Sequence, residues 1–240
     1  RFRYMRRPKV DNVIIDKIMV DSDAYWNNDG IDITDSKNVS ISNCYVNASD
    51  DGICIKSHFK YGVCDNIYIT NCTVRSSASA IKIGTKSLGV FKNIVIENIR
   101  VFDTFRSAIA IESVDGGVID GVLVDNLTTI NTGNAIFIKL GKREGNRDAS
   151  ILKNVTLRNI KAEVAFDRPD AEYEIRGPAL PFFHNIFPSS ITGIPERSIE
   201  NLTLENIEII YPGRGNRGMA NMPLSRLDQI PEKEAEYPEF

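Results

Sequence analysis

The chain has 240 residues, with 29 lysines and arginines against 32 aspartates and glutamates and a formal net charge of −3. This slightly acidic balance gives no electrostatic reason to expect binding to nucleic acid or to an anionic membrane surface. No run of about 18 apolar residues occurs, so the sequence predicts no membrane-spanning helix.

A short motif recurs along the chain, in which a turn residue is followed by a strand of alternating apolar residues. Its first five copies start at intervals of 26 to 28 residues. The starts are Asn12, Asn38, Asn66, Asn93, Gly121, Asn154 and Asn201. A second asparagine follows within most copies, at Asn43, Asn71, Asn98, Asn126, Asn159 and Asn206. Asparagine tolerates the left-handed backbone of a turn, and its amide can hydrogen-bond to the next copy.

A second strand recurs within the copies, again with alternating isoleucines. It reads Gly30-Ile31-Asp32-Ile33, Gly52-Ile53-Cys54-Ile55, Ala80-Ile81-Lys82-Ile83, Ala108-Ile109-Ala110-Ile111 and Ala135-Ile136-Phe137-Ile138. Repetition at this period indicates a solenoid, and strands rich in valine and isoleucine make it a β-solenoid. Each coil needs its neighbours to bury its inner face, so the coils stack into parallel sheets. The sequence therefore predicts an all-β fold, a right-handed single-stranded parallel β-helix.

The repeat runs through the chain without a linker, so we expect one domain over residues 1–240. A β-helix needs polar caps, and neither end of the sequence offers one, which predicts an internal piece of a longer protein. Residues 168–197 depart from the repeat and are predicted to form a loop insertion, the kind of segment that often carries a binding site on a solenoid. We expect the protein to be a monomer.

The chain has four cysteines, Cys44, Cys54, Cys64 and Cys72. Cys44 and Cys72 fall at the same position of the repeat, which favours a stacked pair of small buried side chains. We expect reduced core thiols, although spacing alone leaves disulfides open. No Cys-x-x-Cys or Cys/His zinc pattern is present, so no structural metal and no cofactor is predicted.

Three aspartates that the repeat brings together are the candidates for acid–base catalysis. Stacking places Asp29, Asp51, Ser79, Ser107 and Asn134 in one column and Asn28, Asp50, Ala78, Arg106 and Gly133 in the column before it. Neighbouring coils lie about 4.8 Å apart, and carboxylates this close cannot all ionise at normal cost, so at least one pKa should be raised. One group could then donate a proton while another activates water. An acidic turn ladder or a calcium site would use the same residue types.

At these residues the sequence resembles glycoside hydrolase family 28, the polygalacturonase family. The family signature is Asn-x-Asp, followed one coil later by Asp-Asp, on a pectin-lyase-like right-handed β-helix, and Asn27-Asn28-Asp29 and Asp50-Asp51 match it. The resemblance implies an inverting hydrolase of a pectin-like polysaccharide. It implies that Asp51 is the general acid, that Asp29 and Asp50 activate the attacking water, and that the protein is extracellular or periplasmic.

Two other motifs of the family are replaced. The family has Gly-His-Gly on the next coil, where this chain has Ala78-Ser79-Ala80, and it has Arg-Ile-Lys where this chain has Ala110-Ile111-Glu112. The family's Arg and Lys bind a galacturonate carboxylate, which a methyl group and an acid cannot do. The sequence therefore predicts a family member that is not an ordinary polygalacturonase.

Five further residues are candidates for substrate binding. Asn28 precedes the first acid, Trp26 is placed to line the cleft, and Ser79 stands where the family has its histidine. Lys56 and Lys82 project from the coils of the acidic cluster and could bind a sugar carboxylate or hydroxyl. Both lysines could equally be solvated residues that protect a β-surface from aggregation, and that interpretation is favoured for Lys139.

Two other classes of protein stay open at the level of sequence. A calcium-dependent polysaccharide lyase would use clustered aspartates for the metal and Lys82 or Lys56 as the base. A non-catalytic glycan-binding β-helix would explain the replaced motifs but not the retention of all three acids.

Overall fold

A computed structural model gives the fold and describes residues 10–25, 27–143, 148–166, 169, 189–213, 217 and 221. These residues form fourteen β-strands. The strands are β1 (Asp11–Asp16), β2 (Met19–Ser22), β3 (Ile31–Thr34), β4 (Lys37–Ser42), β5 (Tyr45–Ala48), β6 (Ile53–Ser57), β7 (Val63–Thr70), β8 (Thr73–Ser76), β9 (Ile81–Ser87), β10 (Val90–Ser113), β11 (Val118–Leu140), β12 (Ile151–Val164), β13 (Ser190–Thr192) and β14 (Glu200–Ile210).

The pairing of the strands follows the repeat of the sequence. One ladder runs β1-β4-β7-β10-β11-β12-β14, a second runs β2-β5-β8-β10, and a third runs β3-β6-β9-β10-β11-β13. Each strand pairs in parallel with its counterpart on the next coil, and the long strands β10, β11 and β12, which run through most of a coil, pair with one another in succession. Connections between parallel strands of one sheet are right-handed. The predicted right-handed parallel β-helix is therefore confirmed.

The core consists of columns of aliphatic side chains stacked one coil above another. Ile53, Ile81 and Ile109 are in register, and each is fully buried. A parallel column is formed by Ile55, Ile83, Ile111 and Ile138, which are also fully buried. Each such side chain contributes about 1.5–3 kcal/mol through its burial. Because the columns fix the register, they also fix which turn residues lie over one another.

The recurring asparagines have left-handed backbone, as predicted, and most of them bend the chain within a strand. Their φ angles are positive, for example +52° at Asn38 and +55° at Asn66. The amide of Asn66 donates to Oδ1 of Asn38 at 2.7 Å, and that of Asn126 donates to Oδ1 of Asn98 at 2.7 Å. Gly121, which fills one asparagine slot, has φ +90°. The asparagine ladder thus repeats the same left-handed bend from coil to coil.

All four cysteines are buried as free thiols. Cys44 and Cys72 lie one coil apart, because Tyr45 pairs with Thr73 immediately after them. The prediction of reduced core thiols is confirmed.

The predicted loop insertion covers residues 168–197. Of these, the structure describes residue 169 and residues 189–197, and the rest of the insertion lies outside the described residues. No helix in the described part of the chain is long and apolar enough to cross a membrane.

Candidate active site

The predicted acids meet at the turns that lead into β3 and β6. Asp29 stands two residues before β3, and Asp51 stands two residues before β6. Ile31 pairs with Ile53, and the N–H of Gly30 donates to the carbonyl of Asp51 at 2.9 Å. The stacking register therefore places the acids one coil apart, as the repeat predicts.

A glycine follows each acidic turn because the coils approach too closely there for a side chain. A Cβ at Gly30 would lie 2.5 Å from the carbonyl oxygen of Gly52, and a Cβ at Gly52 would lie 2.5 Å from that of Ala80. Such contacts are well below ordinary van der Waals distances. The close packing of the coils therefore requires the glycine that follows the acid at each of the two turns.

Asp51 is the most buried acid of the cluster, with 6% of its surface exposed. Its Oδ1 accepts the backbone N–H of Ser79 at 3.2 Å, and its Oδ2 lies 3.2 Å from Nζ of Lys82. Its own N–H donates to Oδ1 of Asp50 at 2.9 Å. Both oxygens of Asp51 therefore have a positively polarised partner.

Asp29 is held from the other side by Lys56. The ammonium of Lys56 donates to Oδ2 of Asp29 and, at 2.9 Å, to Oδ2 of Asp32. The side chains of Lys56 and Asp29 are 17% and 18% exposed. Lys56 thus lies between two carboxylates at the edge of the cluster.

The three acids differ in the pKa of their side chains. Burial, with the negative charges of Asp51 and Asp50, raises the pKa of Asp29 to about 7, against the opposing hydrogen bond from Lys56. Burial and the charge of Asp51 raise the pKa of Asp50 to about 6. Burial would also raise the pKa of Asp51, but the positive charges of Lys82, Arg106 and Lys56 outweigh it and hold that pKa below its usual value. Neighbouring carboxyls with opposite shifts are the arrangement that acid–base catalysis requires.

An open cavity of about 600 Å³ adjoins the cluster on the side of the first coil. It is lined by Ser22, Asn27, Asn28, Asp29, Gly30, Asp32 and Lys56. Asn28 and Lys56, both predicted to bind substrate, therefore lie on a wall of this cavity beside Asp29. Trp26, the third predicted residue of this region, lies outside the described residues.

The cluster is a poor site for a metal ion, although Asp29, Asp51 and Cys54 place one potential ligand atom each within 4.8 Å of one another. The ammonium groups of Lys56 and Lys82 lie against the two carboxylates. Burial, followed by the charge of Asp51, raises the pKa of the Cys54 thiol well above its usual value, so the sulfur stays protonated. A cation would have to displace two ammonium groups and a thiol proton.

Comparison with known proteins agrees with this geometry. The sequence profile of the family described as "Glycosyl hydrolases family 28" matches residues 3–164, which include the acids, both lysines and Glu112. The chain belongs to this family.

Two curated relatives bear names from the same family. An endo-polygalacturonase of Pectobacterium carotovorum subsp. carotovorum is 27% identical over 139 residues, which are 57% of this chain and 34% of the relative. A polygalacturonase of Cochliobolus carbonum is 26% identical over 208 residues, which are 86% of this chain and 44% of the relative. The chain thus spans less than half the length of the curated relatives it matches.

The positions where this family 28 member departs from the family signature are buried. Ser79 is 2% exposed and Ala110 is 1% exposed. Ser79 was predicted to bind substrate, but its contact with the cluster is the N–H that it donates to Asp51. Lys139, for which a solvated side chain was favoured, is 5% exposed, so that interpretation is wrong.

Lys82 lies inside the cluster and is 6% exposed, so it is not a solvated surface lysine. Its Nζ lies 3.2 Å from Asp51 Oδ2 and 3.4 Å from Oε1 of Glu112. Burial lowers the pKa of Lys82, but the charges of Asp51 and Glu112 outweigh it and raise that pKa. The structure therefore directs the ammonium of Lys82 towards Asp51 and Glu112 rather than towards the cavity.

Sequence reasoning missed two acids of the site, Asp32 and Glu112. Each lies diagonally across the ladder from the lysine that it contacts, because Lys56 pairs with Thr34 and Lys82 pairs with Ala110. A residue two positions from the directly paired one projects from the same face of the sheet. Diagonal pairs in the aligned repeat were the signal that could have identified both acids.

Proposed function

We propose that this chain is the β-helical part of a secreted glycoside hydrolase that cleaves a pectin-like polysaccharide by adding water across a glycosidic bond. The observation that carries the proposal is the cluster of Asp29, Asp50 and Asp51, which two stacked coils bring together beside an open cavity. Family membership and the names of the relatives support the substrate class.

The cluster supplies the two functions that glycoside hydrolysis needs. A protonated carboxyl donates its proton to the glycosidic oxygen, and a carboxylate removes a proton from the attacking water. The raised pKa values of Asp29 and Asp50 and the lowered pKa of Asp51 place a neutral and an anionic carboxyl in the same site near neutral pH.

The stereochemical outcome that we propose is inversion, on the strength of the family resemblance. The nearest ligand oxygens of Asp29 and Asp51 lie within 4.8 Å, which is below the spacing of about 6.5–9.5 Å usual for inverting pairs. Proton NMR of the first-formed product therefore tests inversion directly. An initially retained anomer would contradict inversion and leave hydrolysis in place.

The charges of the site favour a neutral sugar beside the scissile bond. Lys56 lies between Asp29 and Asp32, and Lys82 lies between Asp51 and Glu112. Each ammonium already has two carboxylate partners, so its positive charge is compensated and attracts a uronate only weakly. We therefore propose that the protein is not an ordinary polygalacturonase and that it cleaves next to a neutral residue of a pectic polysaccharide.

A panel of pectic oligosaccharides tests this proposal. The protein is incubated with homogalacturonan fragments and, separately, with backbone and side-chain fragments that contain neutral sugars, with Asp51→Asn as the matched inactive control. Cleavage of a neutral-sugar linkage by the wild type alone supports the proposal. Cleavage of plain homogalacturonan at a comparable rate would contradict the proposed specificity.

The same assay separates the two other classes. A calcium-dependent lyase would form unsaturated products that absorb ultraviolet light and would stop in the presence of a chelator. The ion pairs of Lys56 and Lys82 with the acids argue against metal binding in this cluster. A non-catalytic glycan-binding protein would bind members of the panel and cleave none of them.

A further inference from the structure

Two rows of side chains project outward from the ladder of β3, β6, β9, β10 and β11, beside the acidic cluster. Along each strand they alternate with the inward-facing isoleucines of the core. Because the coils stack, each row runs along the axis of the β-helix and passes the acids. The first row consists of Asp32, Cys54, Lys82, Ala110 and Phe137, and the second consists of Thr34, Lys56, Glu112 and Lys139.

Both rows are open on the first coils. The side chain of Asp32 is 42% exposed and that of Lys56 is 17% exposed. Both residues line the open cavity of about 600 Å³, whose lining residues fall between Ser22 and Lys56 in the chain. This part of the surface thus offers polar atoms to a ligand that arrives from solvent.

Both rows are covered on the later coils. There the outward-facing residues of β10 and β11 are at most 7% exposed, and they form a covered face that consists of Ala110, Glu112, Phe137 and Lys139. A phenylalanine or lysine side chain that projects outward from a sheet is mostly exposed unless other groups lie over it. Ser107 and Asn134, which continue the column of Asp51 on the same coils, are also buried.

The polar groups on the covered side of the cluster already have partners within the protein. Lys82 Nζ lies 3.2 Å from Asp51 Oδ2 and 3.4 Å from Glu112 Oε1. The second oxygen of Glu112 accepts the hydroxyl of Thr85 at 3.1 Å. Burial of a polar group costs free energy unless the group is hydrogen-bonded, and here the protein itself supplies the partners. The covered side therefore does not need a sugar to complete its hydrogen bonds.

The acids stand at the boundary between the open and the covered parts. Asp29 lines the cavity, whereas Asp51, one coil later, contacts Lys82 on the covered side. Neighbouring coils lie about 4.8 Å apart, a distance comparable with the length of one sugar ring. A polysaccharide bound at the acids therefore has a free path over the first coils and meets the covered face soon after Asp51.

We propose that the protein attacks its polysaccharide from one end and releases a short product of fixed length, because the covered face blocks the path of the chain beyond the acids. The inference rests on the proposed hydrolysis and adds the mode of attack to it. The bond that breaks lies a fixed number of sugars from the blocked end of the chain. Each cleavage consumes one water, whose hydroxyl bonds to the anomeric carbon while the leaving oxygen gains a proton.

The products of the first turnovers test this proposal. Pectic oligosaccharides of increasing length that contain the cleaved linkage, and the polymer from which they come, are digested and separated by chromatography, with Asp51→Asn as the inactive control. We expect one short product of the same length from every substrate, together with the remainder of the chain, and a slow fall in the viscosity of the polymer. Substrates that carry a bulky group at both ends should not be cleaved. Early products of many lengths with a steep fall in viscosity would overturn the proposal.

A second measurement does not depend on activity. Asp51→Asn is titrated with oligosaccharides that carry a fluorophore at the reducing end or at the non-reducing end, and binding is followed by fluorescence anisotropy. We expect the fluorophore to weaken binding about tenfold or more at one end and to leave it unchanged at the other, because only one end enters the blocked part of the site. Equal binding of the two ligands would overturn the inference. Such asymmetry in a protein that cleaves no glycan would overturn the proposed function and leave the blocked end in place.

Discussion

The ammonium nitrogen of Lys82 lies 3.2 Å from Oδ2 of Asp51, although the two residues belong to successive coils. This contact puts the most buried acid of the site next to a cation that the family signature does not contain. Together with the positive charges of Arg106 and Lys56, it lowers the pKa of Asp51, whereas burial and neighbouring carboxylates raise the pKa values of Asp29 and Asp50. The chemistry of the cluster thus depends on a neighbour that lies outside the acidic motif.

Asp51→Asn should abolish turnover while leaving fold and glycan binding intact. Asparagine has the same shape but neither donates nor accepts a proton as a carboxyl group does, and such help is worth about 10²–10⁴ in rate. Initial rates on the oligosaccharide panel measure the loss. The exposed Glu163→Gln removes one acid far from the cluster and should keep wild-type rates. Activity retained in Asp51→Asn would contradict a catalytic role for Asp51.

Stability should decrease as the pH rises from about 4 to about 7 through the raised acids. The folded-state pKa values of Asp29 and Asp50 are about 7 and about 6, above the usual value of about 3.9, so the folded state holds protons that the unfolded state has lost. That contribution is fully present below the unfolded pKa and disappears as the pH passes through the folded values. The lowered pKa of Asp51 has the opposite effect on stability, which it decreases as the pH falls, and only at more acidic pH.

Thermal unfolding at about pH 5 and about pH 7.5 measures this effect, because these two pH values lie on either side of the raised pKa values of about 6–7. The unfolding temperature of the wild type should be lower at the higher pH. Asp29→Asn, which cannot ionise, should show a smaller decrease. An equal decrease in wild type and variant would show that Asp29 does not titrate in that range.

The asparagine ladder should stabilise the stack through both backbone and side chain. Asn126 has φ +56°, and its amide donates to Asn98 at 2.7 Å. Asn126→Gly keeps the backbone conformation but loses the hydrogen bond, which costs about 1 kcal/mol. Asn126→Ala should lose a further 1 kcal/mol or so, because a Cβ disfavours left-handed backbone. Urea unfolding of the two variants gives the comparison, and equal stability of both would contradict the backbone contribution.

The fold and the position of the acids could be predicted from the sequence because both depend on register. Isoleucines at fixed positions of each coil set that register, and the register puts Asp29 directly beside the coil of Asp51. The asparagine turns were visible for the same reason.

The partners of the lysines could not be predicted in this way. Lys56 and Lys82 contact acids on diagonal positions of neighbouring coils, and the approach of Glu112 to Lys82 depends on the close packing at Gly84. Such contacts depend on side-chain conformation as well as register. The alternation of the strand showed the face from which Lys82 projects, but not that Glu112 would bury it there.

Replacing Lys56 should distinguish binding from catalysis at the cavity. Lys56 lines the cavity and pairs with Asp29 and Asp32. In Lys56→Met the two carboxylates lose their shared counter-charge, so the pKa of Asp29 should rise further and substrate affinity should weaken. KM and the pH profile measure the two effects, with the exposed Lys161→Met as the matched control. Unchanged KM and pH profile would show that Lys56 serves neither purpose.

The most direct test of the central claim, that the three acids hydrolyse a glycosidic bond, is mass spectrometry of the products formed in water enriched in oxygen-18. Hydrolysis predicts that one labelled oxygen enters the new reducing end and that no unsaturated sugar forms. Asp51→Asn should release no cleavage product at all. Products that carry no label and contain an unsaturated sugar, or no cleavage of any pectic oligosaccharide that the protein binds, would contradict the claim.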